Sequence, residues 1–268
     1  MPAFPISFWI LLATALVVSS MGFKNYIWFI SLGYGFSIAA EGIAMLIIYR
    51  ESLTVASVVL AALFIVYGLR LSGYLAIREA KSASYKKHMT SEIKDGKTVP
   101  FGVKCAIWVT CALLYLLQVL PVLYRFSVGA KDSVMAYIGI GVMAIGLILE
   151  TAADLQKNAA KRKNPRRFVD TGLYRIVRCP NYLGEMIFWT GVLLSGFGAL
   201  NSVWQWVLAV LGYVGIIFVM FSGARRLELR QNKNYGENPE YQAYVTSVPI
   251  LLPFIPLYSV VKYKFLVA

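Results

Sequence analysis

Long apolar runs almost free of charge are the feature that most constrains what this chain can fold into. Hydrophobic residues make up 59% of the chain and charged residues only 15%, a balance that is rare in soluble domains of this length. Seven runs are long enough, or nearly so, to cross a hydrocarbon layer about 30 Å thick. We therefore predict an all-α polytopic membrane protein, a bundle of about seven transmembrane helices near Phe4–Met21, Tyr26–Tyr49, Ser52–Ile77, Phe101–Tyr124, Ser133–Leu155, Asn181–Phe197 and Ser202–Gly223.

The Lys and Arg residues gather on one side of this predicted bundle. With seven spans threaded in order, 21 of the 26 fall on that side, at Lys24 and in segments 78–97, 157–178 and 225–264. Basic loops mark the cytosolic side of a membrane protein, so we predict the N-terminus outside and the C-terminus in the cytosol. The first run has no basic residue before it, which favours a retained span over a cleaved signal peptide. A bacterial inner membrane and an endoplasmic reticulum membrane both fit this topology.

Outside the spans, the chain has no segment large enough for an independent core, so we predict a single membrane domain over residues 1–268. Gly139, Gly141 and Gly146 lie within a span with no strand before them, which favours helix packing over a dinucleotide-binding turn. The single histidine, His88, and three cysteines without a CxxC pair predict no metal site. The basic loops fit lipid head groups, and we expect a monomer that binds membrane lipids and no nucleic acid.

Ionisable side chains inside membrane spans are costly and are typical of functional sites. Glu150 and Asp154 are four residues apart, which places two carboxylates on one face of the fifth helix. Asn181 and Glu185 have the same spacing and place an amide and a carboxylate on one face of the sixth. An alternative is that these groups satisfy one another, or pair with nearby arginines such as Arg178, in a purely structural role.

Two further polar residues lie deeper, Glu41 at roughly 22 Å and Tyr67 at roughly 15 Å from the cytosolic ends of their spans. A Tyr hydroxyl and a protonated Glu can both donate a hydrogen bond to a substrate oxygen on which negative charge develops. Alternatively, Arg70 could pair with Glu41 and ionise it. Gln118 and Trp189 are candidate substrate-binding residues, although an aromatic residue at the position of Trp189 is as often part of helix packing.

The segment 172–185, Gly-Leu-Tyr-Arg-Ile-Val-Arg-Cys-Pro-Asn-Tyr-Leu-Gly-Glu, resembles the C-terminal signature of the steroid 5α-reductase family and its bacterial relatives. The resemblance extends upstream to Glu150, Asp154 and Gln156 and downstream to the tail 238–253, and so covers residues 150–253. It implies a seven-helix reductase of the 3-oxo-5α-steroid 4-dehydrogenase type, which uses NADPH to transfer hydride to the C=C bond of a steroid-like enone taken from the lipid phase.

The resemblance also implies which residues act. Glu41 and Tyr67 take the positions of the residues that hold the substrate ketone. The basic segment 157–178 suits the phosphates of NADPH, because Arg and Lys bind phosphate oxygens. The cofactor contacts of the family map onto Arg78, Glu150, Asp154, Lys161, Arg167, Arg178, Asn181, Glu185, Arg225 and Arg226.

A neighbouring family shares part of this signature, namely the membrane methyltransferases that act on isoprenyl-cysteine or phospholipids. They typically carry Arg-His-Pro-x-Tyr-x-Gly, whereas this chain has Cys179 in place of the histidine. The combination of Asn181 and Glu185 favours the reductases. The alternative function is therefore an S-adenosylmethionine-dependent methyltransferase of a lipid or prenyl group. A non-enzymatic transporter is a third possibility, but the chain shows no internal repeat.

Overall fold

The computed structural model describes residues 4–81 and 99–266, and in these segments the chain forms only helices, turns and loops. The prediction of an all-α fold is confirmed. Three short 3₁₀ helices lie at Ser20–Phe23, Tyr26–Phe29 and Gly172–Arg175. The α-helices are α1 (Ile6–Ser19), α2 (Leu32–Ile48), α3 (Val55–Lys81), α4 (Phe101–Ser127), α5 (Val134–Lys163), α6 (Pro180–Ser195), α7 (Val203–Tyr235) and α8 (Pro239–Ser247).

Six helical segments in the described part of the chain are long and apolar enough to cross a membrane, which confirms a polytopic membrane protein. They coincide with six of the seven predicted spans. The remaining one forms α6, whose 16 residues are fewer than the roughly 20 that an untilted crossing needs. The seventh crossing and the orientation of the two termini therefore stay predictions. The crossing segments are Ile6–Phe23, Tyr26–Ile48, Val55–Ile77, Phe101–Ser127, Val134–Lys163 and Val203–Tyr235.

Two helices continue well beyond their apolar parts. We expected the fifth span to end at Leu155 and the last at Gly223, but α5 runs on to Lys163 and α7 to Tyr235. The reason is that Ala, Lys, Arg, Gln and Glu are good helix formers, so the backbone stays helical where the apolar run ends. Many of the basic residues that we assigned to loops therefore lie on helix ends.

The chain divides into two compact units. Unit 1 comprises Met1–Ile140 with Val192–Tyr213, and unit 2 comprises Gly141–Gly191 with Val214–Ala268. Unit 1 thus contains α1 to α4, and unit 2 contains most of α5, α6 and α7 together with α8. That the whole chain is a single reductase domain stays a prediction.

In unit 1, α2 and α3 pack so closely that their backbones touch. A Cβ atom on Gly68 would lie 2.1 Å from the carbonyl oxygen of Gly35, and one on Gly42 would lie 2.9 Å from the carbonyl oxygen of Ala61. No real side chain tolerates such distances. Glycine at these positions therefore lets the two helices approach within backbone contact, as small residues do in many membrane bundles.

Also in unit 1, α2 and α4 run in the same direction. The rings of Tyr34 and Tyr115, near the start of α2, lie with their centroids 5.1 Å apart. The rings of Tyr49 and Phe126, just beyond the end of α2, have centroids 5.5 Å apart. These two ring contacts delimit a stretch of the α2–α4 interface.

In unit 2, α5 and α6 cross at two glycines. A Cβ atom on Gly146 would lie 2.4 Å from the backbone nitrogen of Phe188, and one on Gly184 would lie 2.6 Å from that of Glu150. The helix-packing interpretation is thus confirmed for Gly146, whereas a Cβ atom on Gly141 would meet nothing within 4 Å. The glycine in the Asn-Tyr-Leu-Gly-Glu sequence is required by the crossing.

The segment between α5 and α6 is covered by α8. The ring of Phe168 stacks on Tyr244 at 5.4 Å and meets Tyr241 edge-on at 5.3 Å. The Tyr244 hydroxyl donates to the carbonyl oxygen of Tyr174 at 2.7 Å. Asn238 begins α8 by accepting hydrogen bonds from two backbone N–H groups of its first turn, as Asn commonly does at an N-cap. The tail of the signature therefore packs against the segment between α5 and α6, which lines the cavities of unit 2.

Candidate functional site

A cavity of about 210 Å³ in unit 2 is lined by four cationic side chains and three amides. No carboxylate is among the lining residues within the described part of the chain. A partly open cavity with several cations and amide donors is suited to a polyanionic ligand. The cations are Lys157, Lys161, Arg178 and Arg230, and the amides are Asn181, Gln231 and Asn234.

The cations of this cavity come from three elements. Lys157 and Lys161 are one turn apart on the end of α5, Arg230 lies on the end of α7, and Arg178 lies just before α6. Lys161 and Arg178 were predicted from the sequence, whereas Lys157 and Arg230 were not. The i,i+4 spacing of Lys157 to Lys161 on a continuing helix could have identified Lys157, but no local signal points to Arg230.

Lys161 also fastens the loop that follows α5. Its ammonium donates hydrogen bonds to the carbonyl oxygens of Arg167 at 2.5 Å and Pro165 at 3.2 Å, and to the hydroxyl of Tyr235 at 3.0 Å. It therefore joins the α5 end, the loop and the α7 end. The predicted role of Lys161 in cofactor binding stays a prediction.

Arg178 forms a buried ion pair. Its Nη2 atom lies 2.9 Å from Oε1 of Glu228 and also donates to the carbonyl oxygen of Tyr258. The other carboxylate oxygen of Glu228 accepts the backbone N–H of Val260 at 2.9 Å. Neither Nε nor Nη1 of Arg178 has a hydrogen-bond acceptor among the described residues. Arg178 thus holds the C-terminal segment in place and also lines the cavity.

Other basic residues predicted to contact the cofactor have protein partners or lie outside the cavity. Arg225 donates to the carbonyl oxygens of Val261 at 3.2 Å and Leu266 at 3.3 Å. Arg226 is exposed. Arg78 lies in α3, and its side chain is outside the described part of the chain. Their roles toward a cofactor stay predictions.

Arg167 lies beside a second cavity of about 400 Å³ in unit 2, which shares Phe168 with the first as a common wall. Its guanidinium lies 2.9 Å from a carboxylate oxygen of Asp170 and 2.6 Å from one of Glu240. These hydrogen bonds raise the pKa of Arg167 above its ordinary value. The three side chains are partly in water, so the pairs orient Arg167 more than they stabilise the fold.

The α5–α6 crossing gathers the polar residues that the i,i+4 spacings singled out. Asn181 lines the cation-rich cavity, and Glu185 follows one turn later as a buried side chain. Glu150 is buried next to Gly184, and Asp154 lies within electrostatic reach of Tyr174. The structure therefore places the amide beside the cations and the carboxylates farther along the two helices.

Cys179 occupies the position of the histidine in the Arg-His-Pro-x-Tyr-x-Gly pattern discussed above. Its side chain is buried, and burial raises the pKa of the thiol to about 12. The group therefore stays protonated at neutral pH and is a poor candidate for proton transfer. Its backbone N–H donates to the carbonyl oxygen of Ile250 at 2.9 Å, so the residue serves to attach the C-terminal segment. Farther along unit 2, Trp189 is buried and packs edge-on against Phe188.

Unit 1 contains two buried polar side chains that lack partners. Neither carboxyl oxygen of Glu41 and neither amide atom of Gln118 has a hydrogen-bond partner within residues 4–81 and 99–266. Arg70 therefore does not hydrogen-bond to Glu41. Leaving a buried polar group without a partner costs about 1–3 kcal/mol, and such groups in native structures call for an explanation, of which a ligand is one.

Both side chains belong to the stretch of the α2–α4 interface between the two ring contacts described above. Glu41 lies between Tyr34 and Tyr49 on α2, and Gln118 follows Tyr115 by one turn on α4. Tyr115 is also within electrostatic reach of Glu41. Unit 1 therefore brings the carboxyl group and the amide predicted from the sequence into one buried stretch.

Tyr67 reaches this stretch from α3. Its hydroxyl donates to the hydroxyl of Tyr34 at 2.9 Å, and the Tyr115 hydroxyl donates to the backbone carbonyl of Phe29. The sequence analysis missed Tyr34 and Tyr115. The spacing of seven residues between Tyr34 and Glu41 sets them on one helix face and could have identified the first.

These features define a class of protein: a polytopic helical membrane protein with a cation-lined cavity in one unit and orphaned buried polar groups in the other. Residues 17–248 match the family described as a protein of unknown function, DUF1295. Because the match covers most of the chain, the protein belongs to this family, which is associated with steroid 5α-reductase-like membrane proteins.

Two relatives are similar over part of the chain. The first, an uncharacterized protein of Schizosaccharomyces pombe, is 35% identical over 33% of this chain and 24% of its own length. The second, a very-long-chain enoyl-CoA reductase of Dictyostelium discoideum, is 26% identical over 44% of this chain and 36% of its own length. The chain thus matches about a quarter and about a third of these relatives. No solved structure matches it.

Proposed function

We propose that this protein is an NADPH-dependent membrane reductase that adds hydrogen across a C=C bond conjugated to a carbonyl in a lipid-soluble substrate. The cation-lined cavity of unit 2 is the observation that carries the proposal, because it offers a site for a phosphorylated cofactor. The similarity to an enoyl-CoA reductase supports reduction of a C=C bond. A steroid-like enone is the substrate class that we propose within this reaction type.

The residues of unit 2 fit the charge of NADPH. Its pyrophosphate and 2′-phosphate require several cations, and the cavity has four within a volume of about 210 Å³. The two atoms of Arg178 without an acceptor are suited to phosphate oxygens. The carboxamide of the nicotinamide needs a donor and an acceptor, which Asn181 and Glu185 offer one turn apart. The neighbouring cavity of about 400 Å³ gives further room.

The residues of unit 1 fit a substrate carbonyl. When bound, NADPH supplies a hydride for the β-carbon of the conjugated system, while a proton completes the product at the α-carbon. Negative charge then develops on the carbonyl oxygen. The Tyr67 hydroxyl, once it turns from Tyr34 to the substrate, and a protonated Glu41 would donate hydrogen bonds to that oxygen, each worth about 3–4 kcal/mol in a site without water. Gln118 would bind another polar atom of the substrate.

The experiment uses the full chain purified into lipid nanodiscs. NADPH deuterated at the transferred position is incubated with a steroid-like enone and, separately, with a very-long-chain enoyl thioester. We expect deuterium at the β-carbon of the saturated product from the enone, detected by mass spectrometry. Deuterium only in the thioester product would support the reductase activity but show that the substrate is an enoyl thioester and not a steroid-like enone. Neither product, together with methyl transfer from S-adenosylmethionine, would establish the methyltransferase alternative.

Variants of the cavity test the cofactor assignment. Lys157→Gln and Arg230→Gln should each weaken NADPH binding by about tenfold, since each removes a charged partner of phosphate. Arg166→Gln removes an exposed cation of the same unit that does not line the cavity, and it should leave the affinity unchanged. Equal effects of all three changes would indicate only a general electrostatic attraction.

A further inference from the structure

The C-terminal segment of unit 2 exposes large apolar side chains although it lies outside the candidate membrane spans. Phe254 is fully exposed, Phe265 is 66% exposed, and Ile255 and Tyr258 are about half exposed. The sequence from residue 241 to the end contains no acidic residue, and its only charged side chains are two lysines, at positions 262 and 264. This combination of exposed aromatics and cations is typical of a surface that binds a partner.

The exposure is not due to a loosely attached segment. The backbone N–H of Ile250 donates to the carbonyl oxygen of Leu257 at 2.9 Å and closes a loop that has Phe254 at its tip. Before the loop, the carbonyl oxygen of Pro249 accepts the N–H of Arg178 at 2.9 Å. After it, the buried Arg178 side chain binds the carbonyl of Tyr258. The loop is therefore held at both ends.

Phe254 has an unusual backbone conformation. Its φ is 67°, in the left-handed region that residues with a side chain seldom adopt. Pro253 precedes it and Pro256 follows it closely, so both flanks are restricted. The chain thus keeps an aromatic ring at a fixed, fully exposed position in a rarely used conformation. This arrangement has a reason only if the ring of Phe254 binds a partner.

We propose that this loop, residues 250–257, together with Tyr258, Lys262 and Lys264, binds the head-group layer of a membrane that contains anionic phospholipids. Aromatic rings are preferred at the membrane–water interface, and lysines next to them are attracted to anionic head groups. The absence of acidic residues throughout this part of the sequence removes the repulsion that such a surface would otherwise meet. The loop would thereby attach to the bilayer the segment that Arg178 holds at the cavity.

The test places an environment-sensitive fluorophore at the loop tip. Phe254→Cys is labelled with nitrobenzoxadiazole in a chain that carries Cys105→Ser and Cys111→Ser, while the buried Cys179 is kept. Discs that hold one protein copy are made from phosphatidylcholine alone or from its equal mixture with phosphatidylglycerol. Lipids with a spin label near the head group serve as quenchers. We expect quenching at position 254, and stronger quenching in the anionic discs.

A label at the exposed Glu237 of the same unit, introduced as Glu237→Cys, is the matched control and should stay unquenched. Lys262→Gln and Lys264→Gln should each lower by about fivefold the ratio of quenching at position 254 in anionic discs to that in phosphatidylcholine discs. Equal quenching at positions 254 and 237 would overturn the proposal. The alternative is a contact between protein copies. In that case the label at position 254 would not be quenched in discs with one copy, and its emission would shift to the blue only in discs with two copies.

A second variant avoids the cysteine changes. Phe254→Trp in the otherwise native chain adds one tryptophan to the six already present. The difference in fluorescence quenching by head-group-brominated lipid between this variant and the parent chain reports the new ring alone. A positive difference that is larger in anionic discs supports the proposal, and no difference contradicts it.

Discussion

A buried ion pair of unit 2 and two buried polar side chains of unit 1 differ in how they are partnered. In unit 2, the buried pair Arg178 and Glu228 hydrogen-bonds internally and to the backbone of the C-terminal segment. In unit 1, the buried Glu41 and Gln118 have no partner among the described residues. Arg178, although it lies in a basic signature, has a structural role, whereas an orphaned polar group in an apolar bundle marks where a ligand is expected.

The signature in unit 2 contains several residues whose role is to shape the fold. Gly172 has a φ of 62°, and a Cβ atom there would lie 2.3 Å from Oε1 of Gln156, which accepts the N–H of Leu173. Gly184 allows the α5–α6 crossing. The cavity cations Lys157 and Arg230 lie outside the segment 172–185. The signature therefore identifies the architecture around the cavity better than it identifies the ligand contacts.

The largest expected effect breaks the partnered pair of unit 2. Arg178→Met leaves the Glu228 carboxylate buried without its cation, which should destabilise the fold by about 3–5 kcal/mol. The double variant Arg178→Met/Glu228→Met should recover most of this loss, because both charges are gone. Thermal unfolding in detergent measures both. A double variant as unstable as the single one would show that the contact with the Tyr258 carbonyl, and not the ion pair, is what stabilises unit 2.

Removing the orphaned carboxyl of Glu41 in unit 1 should raise the stability of the fold, whereas removing the partnered Arg178 should lower it. Glu41→Leu should lower the rate of enone reduction by about 10²–10³-fold, since it removes a proposed donor to the substrate oxygen. It should also raise the melting temperature, because it removes a buried group without a partner. Glu41→Gln should lower the rate less, because its amide N–H is a weaker donor than the carboxyl O–H. The exposed Glu51→Gln is the control and should change neither. A lower melting temperature for Glu41→Leu would reveal a structural role for the carboxyl.

The glycine crossing of unit 2 gives a matched pair of substitutions on one membrane bundle. Gly184→Ala forces a Cβ atom to within 2.6 Å of the Glu150 nitrogen, so we expect a loss of about 1–3 kcal/mol from overpacking. Gly141→Ala meets nothing within 4 Å and should stabilise α5 by up to about 1 kcal/mol through its better helix propensity. An equal fall of the melting temperature in both variants would contradict the close contact of α5 and α6 at Gly184.

The smallest expected effect concerns Asp132, in the loop between α4 and α5 of unit 1. Hydrogen bonds from Thr54 and Tyr137 hold the pKa of its carboxyl below the ordinary value, and it also accepts the N–H of Ala56. A lowered pKa contributes stability that is present above the unfolded pKa of about 3.9 and is lost as the pH falls through the folded value. The melting-temperature difference between the parent and Asp132→Asn should therefore be positive at neutral pH and vanish in acid. A difference independent of pH would contradict this assignment.

Hydropathy predicted most of the fold, because a lipid environment requires long apolar helices and these are visible in one sequence. It did not predict that α5 and α7 continue to Lys163 and Tyr235, since hydropathy reports the edge of the membrane and not the end of a helix. The i,i+4 spacings predicted which faces of α5 and α6 are polar, because helix geometry fixes them locally.

Long-range partners could not be predicted in the same way. Arg178 and Glu228 are 50 residues apart, and only the packing of unit 2 decides that they meet. The same holds for the hydroxyl contact of Tyr67 with Tyr34 in unit 1. Local spacing carries no information about such pairs. Tyr34 and Tyr115 were missed for this reason, since their partners lie on other elements.

Ligand stabilisation tests whether the four cations that line the cavity of unit 2 form a cofactor site. NADPH or S-adenosylmethionine is added to the purified chain, and the melting temperature is measured. At a concentration 100 times its dissociation constant, a specific ligand stabilises the fold by about 2.7 kcal/mol. We expect a clear rise of the melting temperature with NADPH that Lys157→Gln and Arg230→Gln diminish, and no rise with S-adenosylmethionine. A rise with S-adenosylmethionine and none with NADPH would contradict it.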